Sequence, residues 1–357
     1  MIGQDRLSRI ADITDRHLKP NVKRIDEEAF YPGDYLRELG RQGLLPGPGL
    51  DEREAVRAGV PAVRETSRHC LTTGFVLWCH LAAMTYVRNG GSGELRRSVL
   101  PRLADGSLLG GTGLSNPMKF YAGLVKLYLR AERDGGGYVV HGTLPLVSNL
   151  GDDHWFGIVA DAGDRRIAAF VPCASPGLKR AEQAGFIGLN GSATYSCRFD
   201  GVAVRPEWIL TEDADEWVRR IRTTFVLYQV PLALGLIEAS AEAVRGMCAK
   251  QGGCNAYQRV QAEDLERDLA SLQERLDRLV DGLADAGGAG GGRWPDVVRL
   301  RLDAVYAALR AAQTAMLHVG SPGYKAGSEA SRRLREAYFL ANLTPTVRQL
   351  EKMIATA

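Results

Sequence analysis

The sequence predicts an α+β protein in three successive parts: a helical segment over residues 1–103, a β-rich segment over 104–212 and a second helical segment over 213–357. Apolar residues recur near the helical period at both ends of the chain. Short β-branched and aromatic runs, punctuated by Gly, Asp and Pro, fill the middle. The order helices, strands, helices also lacks the strand–helix alternation of a doubly wound sheet.

Each element has its own signal. Leu7, Ile10, Ala11, Ile13 and Leu18 follow a period near 3.6, and Tyr35, Leu36, Leu39 and Leu44 precede the break at Pro46–Gly49. Leu71 to Val87 is apolar on all sides and reads as a buried helix that Gly90 and Gly91 end. Glu94 to Leu103 is a short helix closed by Asp105 and Gly106. Strands follow in LYLRAERD, YVVHGTLPLV, HWFGIVADA, RIAAFVP and YSCRFDGVAV, enough for a small sheet or barrel. Phe225 to Met247 reads as one long apolar helix. Leu265, Leu269, Leu272, Leu276 and Leu279 mark an amphipathic one, and Val297–Val319 and Ala330–Ala341 two more. Residues 286–295, AGGAGGGRWP, are expected to form a flexible loop.

Composition narrows the function. The 357 residues are 45% hydrophobic, enough for a large core, so most of the chain is not disordered. The 45 Lys and Arg nearly balance the 42 Asp and Glu with no long basic run, which argues against nucleic-acid or membrane-surface binding. No apolar run of about 18 residues predicts a transmembrane helix. The polar N-terminus lacks a secretory core, and the expected location is cytoplasmic. Cys70, Cys79, Cys173, Cys197, Cys248 and Cys254 form no CxxC pair and no zinc spacing, so they are expected to be free thiols, and no metal is expected. Phosphate-loop, dinucleotide-fingerprint, HExxH and GxSxG motifs are all missing. The six His residues are scattered, and His80 reads as a core residue before a catalyst.

Four segments stand out. GTGLSNP (111–117) and GTLPLVSN (142–149) both end in polar Ser-Asn pairs able to face a planar heterocycle. GLNGSATYSCRFDGVAVRP (188–206) and QTAMLHVGSPGY (313–324), the latter followed by SRRLREAY (331–338), complete the set. A simple turn at 111–117, and capping roles for Asn116 and Asn149, are the structural alternatives.

In order and spacing these segments resemble the acyl-CoA dehydrogenase superfamily over nearly the whole chain. LPRLADGS (100–107) is similar to that family's Leu-Pro…Gly-Ser approach to the β-domain, and GLSNPM falls where it has Thr-Glu-Pro. GGYVVHGTLPLVSN resembles its Tyr-x-x-x-Gly-x-Lys-x-Trp-Ile-Thr-Asn strand pair, and GSATYSCRFDGVAVRPEWIL its Gly-Ser-x-Thr…Val-Pro segment. The resemblance implies an N-terminal helical domain, a middle β-barrel or sheet domain and a C-terminal four-helix bundle, with flavin between the last two. It implies Leu114 and Ser115 beside the pyrimidine edge of the flavin, and Val147 and Ser148 over its face with the Ser148 hydroxyl near N5. Gln313, Gly320 and Gly323 would touch the dinucleotide tail bound to a neighbouring subunit, so a dimer or tetramer is expected. Thr346 joins the cofactor set. Lys250 stands near where the family's pyrophosphate-gripping Arg would fall; it keeps the charge without the bidentate fork. FAD is expected, with FMN, supplied reduced by a separate reductase, as the alternative.

The departures bear on activity. Arg335-Glu336-Ala337 matches the family's anchor, but nine residues on, where a catalytic Glu is expected, stands Thr344, followed by Pro345 and Thr346. The other position that carries that Glu in some members is Phe225, counted from Gly235. A Thr hydroxyl is too weak a base to take an α-proton from an acyl thioester. Lys119-Phe120-Tyr121 replaces the pantetheine-contacting Gly-Ser-Asp, and Leu146 aligns with the flavin-covering Trp. One branch of the superfamily instead resembles flavin monooxygenases, which need a dry pocket and hydrogen-bond donors in place of a carboxylate base. Thr344, Ser148 and Asn116 are then the expected catalytic residues, with Ser115 and Asn149 as further donors. Phe225, Tyr228 and Tyr324, with Trp155 and Phe156, are candidate walls for a small-molecule substrate. Two alternatives stay open: a dehydrogenase with a non-standard base, for which Glu329 and Glu336 are the nearby carboxylates, and a degenerate non-redox homologue.

Overall fold

The computed structural model describes residues 4–283 and 293–356. Residues 286–292 of the expected flexible loop 286–295 lie outside them, while Arg293 is described and Trp294 and Pro295 open a helix.

The first part holds α1 (Gln4–Ile13), α2 (Val22–Glu27), α3 (Gly33–Arg41), α4 (Glu52–His69), α5 (Leu71–Arg88) and α6 (Leu100–Ala104). A reciprocal capping box between Asp51 and Glu54 starts α4. Every residue of α5 from Leu71 to Val87 is buried, as its uniform apolar sequence requires.

The middle part holds β1 (Gly110–Thr112), α7 (Ser115–Tyr121), β2 (Leu129–Asp134), β3 (Gly137–Val147), β4 (Trp155–Asp161), β5 (Arg166–Pro172), β6 (Leu178–Glu182), β7 (Tyr195–Val204) and β8 (Ile209–Thr211). They form one mixed sheet in the order β6-β7-β3-β2-β4-β5-β8, with β1 parallel on β4. Side chains of β4 and β5 alternate between two cores. Phe156, Ile158, Ile167 and Val171 face a core inside the sheet, and Val159, Ala168 and Phe170 the helices. Burial on both faces explains why these strands read as unbroken apolar runs.

The last part holds α8 (Ala214–Leu227), α9 (Val230–Met247), α10 (Ala262–Asp281), α11 (Trp294–Val319), α12 (Glu329–Asn342) and α13 (Val347–Ala355). The single helix expected from Phe225 is in fact two helices that begin at Ala214 and break at Tyr228–Gln229. Pro231 has no N–H for the Leu227 carbonyl, so the ladder cannot run through. Together α8 and α9 contain an apolar window long enough to cross a membrane, which the sequence reading did not anticipate, and 94% of it is buried inside the fold. α9 crosses α4 at close range: a Cβ on Gly235 would lie 2.3 Å from the Arg64 carbonyl oxygen.

Candidate active site

Where the three parts meet, α5, α8, α12 and the ends of β1, β3 and β7 enclose a cavity of ≈ 290 Å³. Its floor is aromatic. Trp78 on α5 is fixed by its indole N–H donating to the Phe225 carbonyl at 3.1 Å and packs edge-on against the Phe225 ring at 4.9 Å. Phe75 stacks on Trp78 at 5.6 Å and meets Phe339 of α12 edge-on at 4.8 Å. Such pairs hold one another in place and give the cavity an apolar floor.

One wall carries neutral hydroxyls. Ser115, at the start of α7, shares a 3.0 Å hydrogen bond with Thr344. Ser148, just past β3, shares one of 2.8 Å with Thr194, which pairs in turn with Ser192. Thr112 is held by the Tyr86 hydroxyl at 2.6 Å. The 3-10 turn Asn190–Ser192 reaches the cavity between Leu189 (φ 63°) and Ala193 (φ 47°). Two non-glycine residues in the left-handed region are strain held in place by the surrounding structure, of the kind that gathers at functional sites.

Leu146, Phe186, Ile187 and Tyr338 are partly exposed on the cavity lining. Arg335 is the one charged residue among those described that lines it. It is committed elsewhere, holding Asp26 of α2 with two bonds of 2.8 and 2.6 Å and donating to the Ile187 carbonyl at 2.9 Å. No carboxylate among the described residues lines the cavity.

The residues singled out from sequence divide. Ser115, Ser148, Phe225 and Thr344 converge on the cavity. Leu114 and Val147 are buried and do not line it, Leu114 in the helical core and Val147 in the sheet core. Asn116 spends both ends of its amide on a loop, donating to the Lys126 carbonyl and accepting from the Tyr128 N–H, each at 2.9 Å, so it does not reach the cavity. Asn149 is likewise spent on the Gly110 carbonyl and the Tyr31 hydroxyl. Tyr228 is buried in the helical core with its hydroxyl donating to the Ala55 carbonyl at 2.7 Å, and Tyr324 is 88% exposed at the far end of α11; neither lines the cavity. Trp155 packs on Phe170 and Trp208, and Phe156 lies within the sheet core. Thr346 caps α13.

Lys250, Gln313 and Gly320 lie outside the cavity lining. Lys250 precedes a short turn that is tied through Asn255 and Gln258 to the carbonyls of His318 and Leu317 at the end of α11, next to Gly320. Glu336 accepts from the Leu71 N–H at 3.1 Å and from Arg332 at 3.0 Å. Glu329 is paired with Arg333. Burial pushes the Glu329 carboxyl up, but Arg333 and Arg332 outweigh it and hold the group below its usual range.

Sequence reasoning missed Phe75, Trp78, Phe339, Phe186 and Ile187; Thr112 and residues 188–194 lay in segments singled out from sequence but were not named as site residues. Apolar residues on α5 give the same periodicity whether they face a core or a cavity, so no sequence signal separates the two.

The donor set suits a planar heteroaromatic ring: hydroxyls that can donate or accept line one wall above an aromatic floor. It does not suit a pyrophosphate, since Arg335 is already neutralised by Asp26. A ring would be held by Ser115, Thr344 and Ser148, with any dinucleotide tail gripped from elsewhere.

Comparisons with known proteins agree with this architecture. The family model for the N-terminal domain of acyl-CoA dehydrogenases matches residues 5–107. A cyclohex-1-ene-1-carbonyl-CoA dehydrogenase from Geobacter metallireducens is 24% identical over 373 residues, covering 98% of this chain and 95% of that protein. Butyryl-CoA dehydrogenase from Megasphaera elsdenii has the same fold at a TM-score of 0.85 and 17% identity, over 99% of this chain and 97% of its own. A prolyl acyl carrier protein oxidase superposes with a TM-score of 0.81 at 16% identity, over 100% and 99% of the two chains. With its helical, sheet and helical parts in the same order, the chain has the fold of acyl-CoA dehydrogenases, and its residues 5–107 match the N-terminal domain of that family.

Proposed function

We propose that this chain is a flavin-dependent oxidoreductase that works without a carboxylate base, oxygenating a small molecule with reduced flavin and oxygen. One observation carries the reading: the two positions where the superfamily places its base, Thr344 and Phe225, both line the cavity, and neither is a carboxylate. Bound there, reduced flavin would supply two electrons to oxygen, one oxygen atom entering the substrate and the other leaving as water. The chain's own part is to orient and to exclude water. Ser115, Thr344 and Ser148 would hold the ring, and the Phe75–Trp78–Phe225 floor would limit the approach of water to it. FAD is the cofactor that the likeness to acyl-CoA dehydrogenases favours, with FMN delivered by a separate reductase as the alternative. Lys250, Gln313 and Gly320, away from their own cavity, would meet the cofactor tail of a second copy, which makes a homo-oligomer the working form.

A second reading is favoured by the full-length relative: dehydrogenation of an acyl thioester, carried on CoA or on a carrier protein. It needs a base that neither Glu329 nor Glu336, both held in ion pairs outside the cavity lining, is placed to be.

Stopped-flow absorbance of the protein with reduced FAD or FMN, then oxygen, separates the readings. An oxygenated-flavin transient and a slowed return to oxidised flavin are expected. Rapid bleaching of bound oxidised FAD by an acyl thioester would replace this reading with the dehydrogenase one. Binding of neither flavin would leave a non-redox homologue.

A further inference from the structure

Behind the wall that carries Thr344 lies a charge with no counter-ion. Arg301 of α11 is 0% exposed and makes no ion pair among the described residues. Its Nε donates to the Gln229 side-chain oxygen at 2.8 Å and its Nη2 to the Leu340 carbonyl at 3.0 Å, while Nη1 has no partner. Gln229, also fully buried, uses its amide N–H₂ to donate to the Thr344 carbonyl at 2.9 Å. Arg301 therefore clamps both ends of one turn: the last turn of α12, whose Phe339 is part of the cavity floor, and Thr344, whose hydroxyl faces Ser115.

Packing alone does not account for this residue. Removing a guanidinium from water is costly, and two neutral acceptors repay only part of that cost. An apolar side chain of similar size would fill the same space without that cost. Burial alone pushes the Arg301 guanidinium down to about 9, with no carboxylate opposing the shift, so it is still a cation at neutral pH. A local conflict between sequence and burial, set against a cavity wall, points to a role at the cavity.

We propose that Arg301 is a positioning residue of this site: through Gln229 it fixes the Thr344 turn, and its unpaired charge makes the cavity hold an anion-forming ligand more tightly than the neutral form. The inference rests on the flavin reading, in which that ligand is reduced flavin, anionic near neutral pH where the oxidised form of the ring is not.

The test is the ratio of dissociation constants for oxidised and dithionite-reduced FAD, measured by anaerobic calorimetry on the wild type, Arg301→Met and Gln229→Glu. The wild type is expected to favour the reduced form, and both variants to lose about tenfold of that preference. Gln229→Glu hands Arg301 a counter-ion but gives up the amide that donates to the Thr344 carbonyl, so both variants are also melted and the ratio is read at a temperature where each is folded. An unchanged ratio in both variants would overturn the proposal and leave Arg301 a structural residue. If the wild type binds neither form, the flavin reading fails, and amide exchange over residues 343–349 decides the positioning. Faster exchange in Arg301→Met supports it, and equal exchange overturns it.

Discussion

His80 sits fully buried on α5 with both ring nitrogens committed: the Gly110 N–H donates to Nδ1 at 3.1 Å, and Nε2 donates to the Leu103 carbonyl at 2.9 Å. This neutral tautomer stitches the first helical part to β1. Burial pushes the imidazole down to about 4, only partly opposed by the Leu103 carbonyl. The unfolded chain therefore binds a proton below about pH 6.5 that the folded chain refuses until about pH 4. Stability rises with pH across that window and is lost as the pH falls through it, by on the order of 3 kcal/mol between its ends. Denaturant midpoints from pH 4 to pH 7 check this; in His80→Gln the slope attributable to this residue should vanish. The His in an apolar helix was legible as a core residue. Its two partners, one 30 residues and one 23 residues away in the chain, were not.

At the scale of elements, α5 depends on a carboxylate from the far end of the chain. Glu336 of α12 accepts the first N–H of α5 and pairs with Arg332, and both acid and base are nearly inaccessible. Glu336→Ala would leave the buried Arg332 with only its longer 3.6 Å pairing to Glu329 and the start of α5 uncapped, and is expected to cost roughly 3 kcal/mol, read as a lower denaturant midpoint with unchanged slope. Glu336→Gln, which keeps the acceptor, should cost less. The long elements were readable because each offers several turns of periodicity: α5, α10 and α11 appear within a few residues of their expected bounds. Strands β1, β6 and β8, of 3, 5 and 3 residues, and helix α7, of 7 residues, were not, because so short a run shows no period. The break at Gln229 was missed although Pro231 announces it, since an apolar run masks a missing N–H.

Over the whole molecule, the two ends of the chain are tied across the cavity lining by Asp26 and Arg335. Asp26→Asn removes the charge of that tie and frees Arg335, whose guanidinium also braces Ile187. The expected result is faster release of bound flavin by several-fold, with a stability cost near 1 kcal/mol for this partly exposed pair, measured by dilution kinetics and melting. Within the sequence itself lay the order of the three parts, the long helices, the longer strands of the central sheet and, by resemblance, Ser115, Ser148, Thr344 and Phe225, which do line one cavity. Those features are local: periodicity, turn residues and spaced motifs need no partner to be recognised. The tertiary structure alone decided that Asn116, Tyr228 and Tyr324 lie off the cavity and that Phe75 and Trp78 form its floor. It alone placed a fully buried arginine, with no ion pair among the described residues, behind Thr344. These outcomes depend on which side chains meet across long separations in the chain, and no local pattern encodes whether an apolar or polar group faces a core, a loop or an open space.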